Sequence, residues 1–155
     1  MKGKIKFPSG AIEVVNWSTS TKITAHFTVG EYANPSAPEA DKFILTPEAL
    51  IHAIMLEELR VWYGKPMAVN SWYRSPQYNR IAGGIASSNH LRGTATDIKT
   101  GPLTDAQFAN LSRKWRQICE AHGVVGEILR YSTFVHFGSN ITYSKTFYIE
   151  DKRAA

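Results

Sequence analysis

The chain has 155 residues, of which 43% are hydrophobic and 12% aromatic, which is enough for one globular domain with a core of ordinary density. Its single cysteine, Cys119, excludes an internal disulfide and a thiolate zinc site. The formal charge of +5 and the pI near 9.4 favour polyanionic partners. The basic residues are scattered, however, so no nucleic-acid-binding stripe is predicted.

The N-terminal sequence MKGKIKFPSG has a basic start but no apolar run of signal-peptide length. No stretch reaches the roughly twenty apolar residues that a membrane span needs. We therefore expect a product made in the cytoplasm without a signal peptide. Residues 1–34 predict one short strand with irregular structure, and residues 25–41, with two prolines, predict a surface loop.

The clearest predicted element is a helix over residues 47–63. Thr46 is a good N-cap, Pro47 suits the first helical position, and Gly64 followed by Pro66 ends the pattern. The apolar residues expected to form one packing stripe are Leu50, Ile51, Ile54, Met55, Leu59 and Trp62.

Short elements follow that helix. Residues 67–73 predict a strand, and a brief helix begins at Pro76 and is stopped by Gly83 and the glycine after it. Residues 89–93 predict a turn.

Residues 94–99 alternate as a strand, with Asp97 on the face opposite Ile98. A second long helix is predicted over residues 104–123, begun by a capping box of Thr104 and Gln107. Its predicted stripe consists of Phe108, Leu111, Trp115, Ile118 and His122.

The C-terminal third predicts a hairpin of residues 124–130 and 134–139, with an edge strand within residues 142–149. Two main helices and four or five strands, in runs rather than strict alternation, indicate an α+β fold with a mostly antiparallel sheet. We expect a single domain, residues 1–155, in which residues 1–22 and 140–155 are peripheral.

Unusual chemistry is concentrated in residues 71–98. His90 and Asp97 lie on the two sides of a glycine turn, and His136 is the best candidate for a third metal ligand. Imidazole and carboxylate suit Zn²⁺, and three protein ligands with one open position are typical of catalytic sites. Without further support the pair is uninformative, because a histidine and an aspartate at this spacing often occur by chance.

The motifs in this region resemble those of the M15 family of zinc D-Ala-D-Ala carboxypeptidases and related peptidoglycan peptidases. The resemblance covers residues 23–138, and residues 23–32 are similar to the segment that precedes the domain in phage and prophage members. It implies the fold of the hedgehog and D-Ala-D-Ala peptidase group. The matching positions are Ser71, Tyr73, Arg74, Ser75, Pro76, Asn79, Gly83, Gly84, Ser88, His90, Gly93, Ala95, Asp97, Ile98, Phe134, Val135 and His136.

The resemblance implies that His90, Asp97 and His136 bind Zn²⁺. It also implies that Arg74 lies over the site, where a planar guanidinium would polarise the scissile carbonyl or hold a carboxylate. Without the resemblance, Arg74 would be interpreted as a surface arginine capping a turn.

Two further residues are predicted to bind substrate. Ser88 matches a family position that meets the substrate, although by itself it would be interpreted as a turn hydroxyl. Trp72 and Tyr73 flank Arg74, and one of them, for which we select Tyr73, is expected to line the substrate groove.

The general base is the point at which this chain departs from the family's motifs. Many members of the family carry a glutamate three residues before the last histidine, where this chain has Thr133, and some carry an aspartate two residues after it, where this chain has Gly138. We predict that Glu127 is the base instead. If residues 131–132 form a two-residue turn, Glu127 lies directly opposite His136 and on the same face. The alternative is an exposed carboxylate with no catalytic role.

The remaining histidines, His26, His52 and His122, are expected to be packing or surface residues, and Trp62 and Trp115 are expected in the core.

The leading hypothesis is a zinc metallopeptidase, of the DD-carboxypeptidase or murein endopeptidase class, that cleaves bacterial peptidoglycan stem peptides. It would be monomeric, bind no nucleic acid, and act at the cell wall after release, as a phage or prophage endolysin does. The alternative is a catalytically inactive zinc-binding module that binds cell walls or belongs to a virion.

Overall fold

Eight strands and four helices are present in residues 2–34 and 43–153, which the computed structural model describes. A 3₁₀ turn, Asn89–Arg92, lies between α3 and β5. The elements are β1 (Lys2–Lys6), β2 (Ile12–Asn16), α1 (Val29–Ala33), β3 (Ile44–Leu45), α2 (Pro47–Tyr63), β4 (Ala68–Ser71), α3 (Pro76–Ile81), β5 (Ala95–Lys99), α4 (Asp105–Ala121), β6 (Glu127–Arg130), β7 (Phe134–Gly138) and β8 (Tyr148–Asp151).

A five-stranded sheet in the order β4-β5-β7-β6-β8 forms the centre of the molecule. All neighbouring strands in it are antiparallel except β6 and β8. The α+β fold with a mostly antiparallel sheet is therefore confirmed.

The two long helices cover one face of this sheet. From α2, His52 reaches Thr96 on β5, and from α4 the Trp115 indole Nε1 donates to the Gly138 carbonyl at 3.0 Å. Successive side chains of β5 point to opposite faces of the sheet, as predicted. Ile98 packs in the hydrophobic core, and Asp97 lines a cleft on the opposite face.

Helix α2 has the predicted bounds and caps, but only Met55 and Leu59 of the predicted packing stripe are buried. Ile54 and Trp62 are 49% and 45% exposed, and Leu50 and Ile51 on the same side of the helix are also exposed. Trp115 on α4, by contrast, is fully buried as expected. The helix is apolar on most of its circumference, so apolarity alone does not select the buried side. The residues that face the sheet and α4 are Ala49, His52, Ala53, Met55, Leu56 and Leu59.

Residues 25–34 are not the predicted surface loop. Phe27, Val29 and Tyr32 are buried, and α1 begins with a capping box in which Thr28 and Glu31 bond reciprocally. Sequence reasoning missed this because a helix of five residues has too short a periodic pattern. The rest of the predicted loop, residues 35–41, lies outside the described residues.

The N-terminal prediction of one strand is also wrong. Strands β1 and β2 form an antiparallel hairpin, and β3 pairs parallel to β1, giving a second sheet in the order β2-β1-β3. The Phe43 ring lies against Gly3, where a Cβ would come within 2.2 Å of the ring. Position 3 therefore requires glycine as long as the Phe43 ring occupies this place.

The predicted hairpin register is wrong by two residues. Tyr131 N–H donates to the Phe134 carbonyl at 3.0 Å, so the turn contains residues 132–133 rather than 131–132. Glu127 consequently pairs with Gly138, and His136 pairs with Leu129.

The edge strand lies later than predicted and pairs parallel to β6. Within residues 2–34 and 43–153, no helix combines the length and apolarity needed to cross a bilayer.

Candidate metal centre and cleft

A cleft of about 670 Å³ lies on the face of the central sheet that the helices leave open. Its floor comes from alternate residues of β5, β6 and β7, and one wall comes from residues 82–90. The opposite wall is built by Tyr143 and by the side chains of Tyr148, Glu150 and Lys152, at or just after β8. Part of the C-terminal segment expected to be peripheral, from Tyr143 to Lys152, thus contributes directly to the cleft.

His90, Asp97 and His136 converge on the floor of this cleft. All three are buried, and each offers a ligand atom that lies within 4.8 Å of the others. His90 Nε2 lies 3.3 Å from Asp97 Oδ2, and His136 Nδ1 lies 2.9 Å from Asp97 Oδ1. The structure therefore brings together the three residues that the sequence proposed as metal ligands.

Local structure orients His90. Its Nδ1 lies 2.7 Å from the Trp72 carbonyl, which can only accept, so Nδ1 carries the proton and Nε2 presents its lone pair to the site. Ser88 caps the 3₁₀ turn by accepting from the His90 backbone N–H. Gly93, with φ +71°, ends that turn in the left-handed conformation and leads the chain into β5.

His136 lies between two carboxylates. Its Nδ1 faces Asp97, and its Nε2 lies 2.9 Å from Glu127 Oε1. Burial alone would lower the pKa of His136, but the hydrogen bonds to Asp97 and Glu127 outweigh it and raise the pKa to about 9. Since metal ligation needs a deprotonated nitrogen, metal binding at neutral pH requires His136 to release a proton.

The other two candidate ligands have lowered pKa values. Burial lowers the pKa of His90, against the opposing effect of Asp97, and so favours the neutral ligand form. Burial would raise the pKa of Asp97, but the hydrogen bonds from His136 and His90 hold it well below its usual value. Asp97 is therefore an anionic carboxylate throughout the physiological range.

The donor set fits Zn²⁺. Two imidazoles and one carboxylate are borderline ligands that zinc accepts, and three protein ligands leave a position open. Donor atoms of a tetrahedral zinc site lie roughly 3.3 Å apart, given bonds of about 2.0–2.1 Å. The distance of 3.3 Å between His90 Nε2 and Asp97 Oδ2 matches that spacing, and one ligand atom from each of the three residues lies within 4.8 Å of the others.

Arg74 is fixed beside the three candidate ligands. Its Nη2 donates to Asp97 Oδ2 at 3.3 Å, and its Nε donates to Ser71 Oγ at 2.9 Å. The guanidinium also lines the cleft. It is therefore oriented at its base by β4 while a charged face remains accessible to a bound molecule.

Glu127 is buried, with 4% of its surface exposed. Its Oε1 contacts His136 and accepts a hydrogen bond from Asn89 Nδ2 at 3.3 Å. Its Oε2 is buried without a hydrogen-bond partner among the described residues. The prediction that Glu127 lies directly opposite His136 is wrong, but a register shift of two positions preserves the face, so the two side chains still meet diagonally.

Thr133, which stands where many relatives have the catalytic glutamate, is exposed in the hairpin turn. Its carbonyl accepts from the backbone N–H groups of Thr100 and Gly101, so it has a structural role there.

The predicted substrate-binding residues separate into two groups. Ser88 lines the cleft, as does Arg74. Tyr73 instead belongs to the core, where its ring stacks on Tyr32 at 5.7 Å, and it is not among the cleft-lining residues. Trp72 is also fully buried, so neither aromatic neighbour of Arg74 reaches the cleft. A single strand-end position does not reveal which side of the sheet an aromatic residue faces.

Sequence reasoning missed Asn89 and the aromatic pair of Tyr131 and Phe134. Asn89 is buried next to His90 and links Glu127 to Arg92, whose Nη2 donates to Asn89 Oδ1. Tyr131 and Phe134 stack at 4.4 Å in the cleft. Their positions flanking the hairpin turn were the available signal, since paired aromatics often face each other across a strand pair.

The remaining histidines lie away from the cleft. His26 and His122 bond to Glu57 and Glu58 of α2, and His52 is fully buried between Ser139 and Thr96.

A comparison with protein-family models matches residues 25–138 to the family described as Peptidase M15. A search of curated proteins finds no match. The matched segment contains Arg74, the three converging residues and Glu127, and it extends over more than half of the chain. By that match, this chain belongs to the Peptidase M15 family of metallopeptidases.

Proposed function

We propose that this protein is a zinc peptidase that hydrolyses peptide bonds in bacterial peptidoglycan, as a carboxypeptidase or an endopeptidase. The observation that carries this proposal is the placement of His90, Asp97 and His136 around one point in an open cleft, beside the buried Glu127, whose Oε2 has no hydrogen-bond partner in the part of the chain that the structure describes. When bound, zinc would supply a Lewis acid that polarises the scissile carbonyl and makes water a better nucleophile.

Arg74 would bind the carbonyl oxygen as negative charge develops on it. Its guanidinium is held by Ser71 and Asp97 before substrate arrives, so little reorganisation is needed during the reaction. A fork of donors is also suited to a carboxylate, so Arg74 would equally hold the free terminus in a carboxypeptidase reaction.

Glu127 would take the proton from the attacking water and pass it to the leaving amine. Its Oε2 has no hydrogen-bond partner within residues 2–34 and 43–153, while its Oε1 already bonds to His136 and Asn89. Glu127 lines the cleft, and a small rotation of its buried carboxylate would bring Oε2 to a water there. A second role is favoured by the contact between Oε1 and His136 Nε2, which would orient that imidazole, as carboxylates commonly do for metal-binding histidines.

The substrate class rests on the family resemblance and on the shape of the site. The cleft has a volume of about 670 Å³, and Tyr131, Phe134 and Tyr148 line it and provide apolar surface. The net charge of +5 would favour residence near an anionic cell wall. The similarity of residues 23–32 to phage and prophage members supports a role as an endolysin that acts on the wall after release.

The test combines zinc analysis with amine release from purified peptidoglycan. We expect one zinc per chain in the wild type, loss of zinc and activity in His136→Ala, and retained zinc in Glu127→Gln. The glutamine can still accept from His136 but cannot take a proton, so Glu127→Gln should lower kcat by roughly 10²–10⁴ if Glu127 is the base.

Other results of the zinc analysis and the amine-release assay would contradict separate parts of the proposal. Full turnover in Glu127→Gln would limit Glu127 to orienting His136 and would leave the metal site intact. If the zinc-loaded wild type released no new amine, the chain would instead be an inactive zinc-binding module. Absence of bound zinc would refute the hydrolase proposal itself.

A further inference from the structure

The side chain of Glu127 occupies the space that a side chain at position 138 would fill. The two residues pair directly across β6 and β7, so their side-chain positions lie on the same face of the sheet. A Cβ placed on Gly138 would lie 2.6 Å from both Cγ and Oε1 of Glu127. The Glu127 side chain therefore crosses the strand pair through the space above Gly138 and ends against His136.

The backbone of Gly138 gives no reason for a glycine. It lies within the regular ladder of β7 and has no positive φ. It is also held in place, because its carbonyl accepts a hydrogen bond from Trp115 Nε1 at 3.0 Å. The strand cannot easily move away to admit a side chain, so the Glu127 carboxylate would have to move instead.

We propose that Gly138 is a positioning residue whose missing side chain lets Glu127 deliver its carboxylate to His136 and the cleft. This inference rests on the proposed function, in which Glu127 acts at the reaction centre. It explains how the chain places a carboxylate near His136 although Thr133 and Gly138 provide none: the neighbouring strand supplies it.

The same geometry predicts which side chain would substitute from the opposite strand. The carboxylate oxygens of an aspartate lie about 2.4 Å from its own Cβ, given standard bond lengths. Glu127 Oε1 lies 2.6 Å from the Cβ position of residue 138. An aspartate at position 138 would therefore place an oxygen near the same point, provided that Glu127 no longer occupies the space.

The experiment compares zinc-loaded wild type with Gly138→Ala, Glu127→Gly and the double variant Glu127→Gly/Gly138→Asp. Zinc content, kcat and KM for amine release are measured for each protein. The Nε2–H resonance of His136, observed by NMR, reports separately on its hydrogen bond to a carboxylate.

We expect Gly138→Ala to retain zinc and KM but to lose at least about tenfold in kcat, because only the carboxylate is displaced. Its His136 Nε2–H resonance should shift or exchange faster. The double variant should exceed Glu127→Gly in kcat by at least about tenfold and recover the His136 resonance.

Wild-type kcat and an unchanged His136 resonance in Gly138→Ala would overturn the proposal. So would a double variant that binds zinc but is no more active than Glu127→Gly. If wild type itself releases no amine, the proposed function fails and the resonance alone decides: displacement in Gly138→Ala supports the positioning role of Gly138, and no change refutes it.

Discussion

Arg74 illustrates how much of the proposed chemistry depends on the shape of one side chain. Its Nε and Nη2 bond to Ser71 and to Asp97, on two adjacent strands, and fix the plane of the guanidinium. A lysine at this position would keep the charge but could not make both contacts at once.

We therefore predict that Arg74→Lys lowers kcat/KM by roughly 10²–10³ while zinc content is unchanged. Arg80→Lys, an exposed arginine on α3, is the matched control and should be neutral. Steady-state amine release and metal analysis measure both. A lysine variant within about threefold of wild type would show that charge alone suffices.

His52, unlike Arg74, is a titratable residue with a purely structural role. Its Nδ1 and Nε2 lie 2.7 Å and 2.9 Å from the hydroxyls of Ser139 and Thr96, and it is fully buried. Burial, with smaller contributions from His136 and His90, lowers the pKa of His52 to about 3. The folded protein therefore holds this residue neutral where the unfolded chain would protonate it.

The sign of the pH effect follows from that difference. The stability contribution of His52 is complete above its unfolded pKa of about 6.5 and is lost as the pH falls toward its folded pKa. We predict that the stability advantage of wild type over His52→Asn shrinks by about 2–3 kcal/mol between pH 7.5 and pH 4.5. Urea denaturation at the two pH values measures it, and an unchanged gap would contradict a buried neutral His52.

The ends of helix α2 could be predicted from the sequence, but its buried side could not. Thr46, Pro47 and Gly64 define its ends in sequence and in structure alike, because caps are local interactions. Its buried side could not be predicted, because the choice depends on what the sheet and α4 present to it.

The exposure of α2 gives a matched pair of variants two residues apart. Leu56→Ala should cost about 2–5 kcal/mol of unfolding free energy, since Leu56 is fully buried. Ile54→Ala should cost no more than about 0.5 kcal/mol, since Ile54 is half exposed. Urea denaturation measures both values, and a cost for Ile54→Ala equal to or above that of Leu56→Ala would contradict this packing of α2.

The β6–β7 hairpin shows why a functional contact can survive an incorrect register. The turn at residues 132–133 moves the partner of Glu127 by two positions, and a shift by two keeps side chains on the same face. Glu127 still reaches His136, now diagonally and above Gly138.

For the whole molecule, the three candidate ligands connect separate parts of the chain. His90 lies in the 3₁₀ turn, while Asp97 and His136 come from the adjacent strands β5 and β7. An ion that binds all three would join these segments only in the folded state, so its binding free energy would add to stability.

We predict that zinc raises the melting temperature and that a chelator reverses the effect. At free zinc a thousandfold above Kd, the stabilisation should be about 4 kcal/mol, which corresponds to a rise in Tm of roughly 10 °C. His90→Ala should abolish the response, and His122→Ala, far from the cleft, should retain it. Calorimetry with and without zinc provides the measurement, and a response in His90→Ala equal to wild type would place the metal elsewhere.

Local sequence patterns were sufficient to predict the ends of α2, the α+β class and the three residues that converge in the cleft, because caps, strand alternation and ordered motifs depend on residues close together in the chain. The folded structure was needed to identify the buried face of α2, the burial of Tyr73 in the core and the contribution of β8 to the cleft wall. It also decided that Glu127 reaches His136 through the space above Gly138. These outcomes depend on which surfaces meet across strands and layers distant in sequence, and no local pattern carries that information.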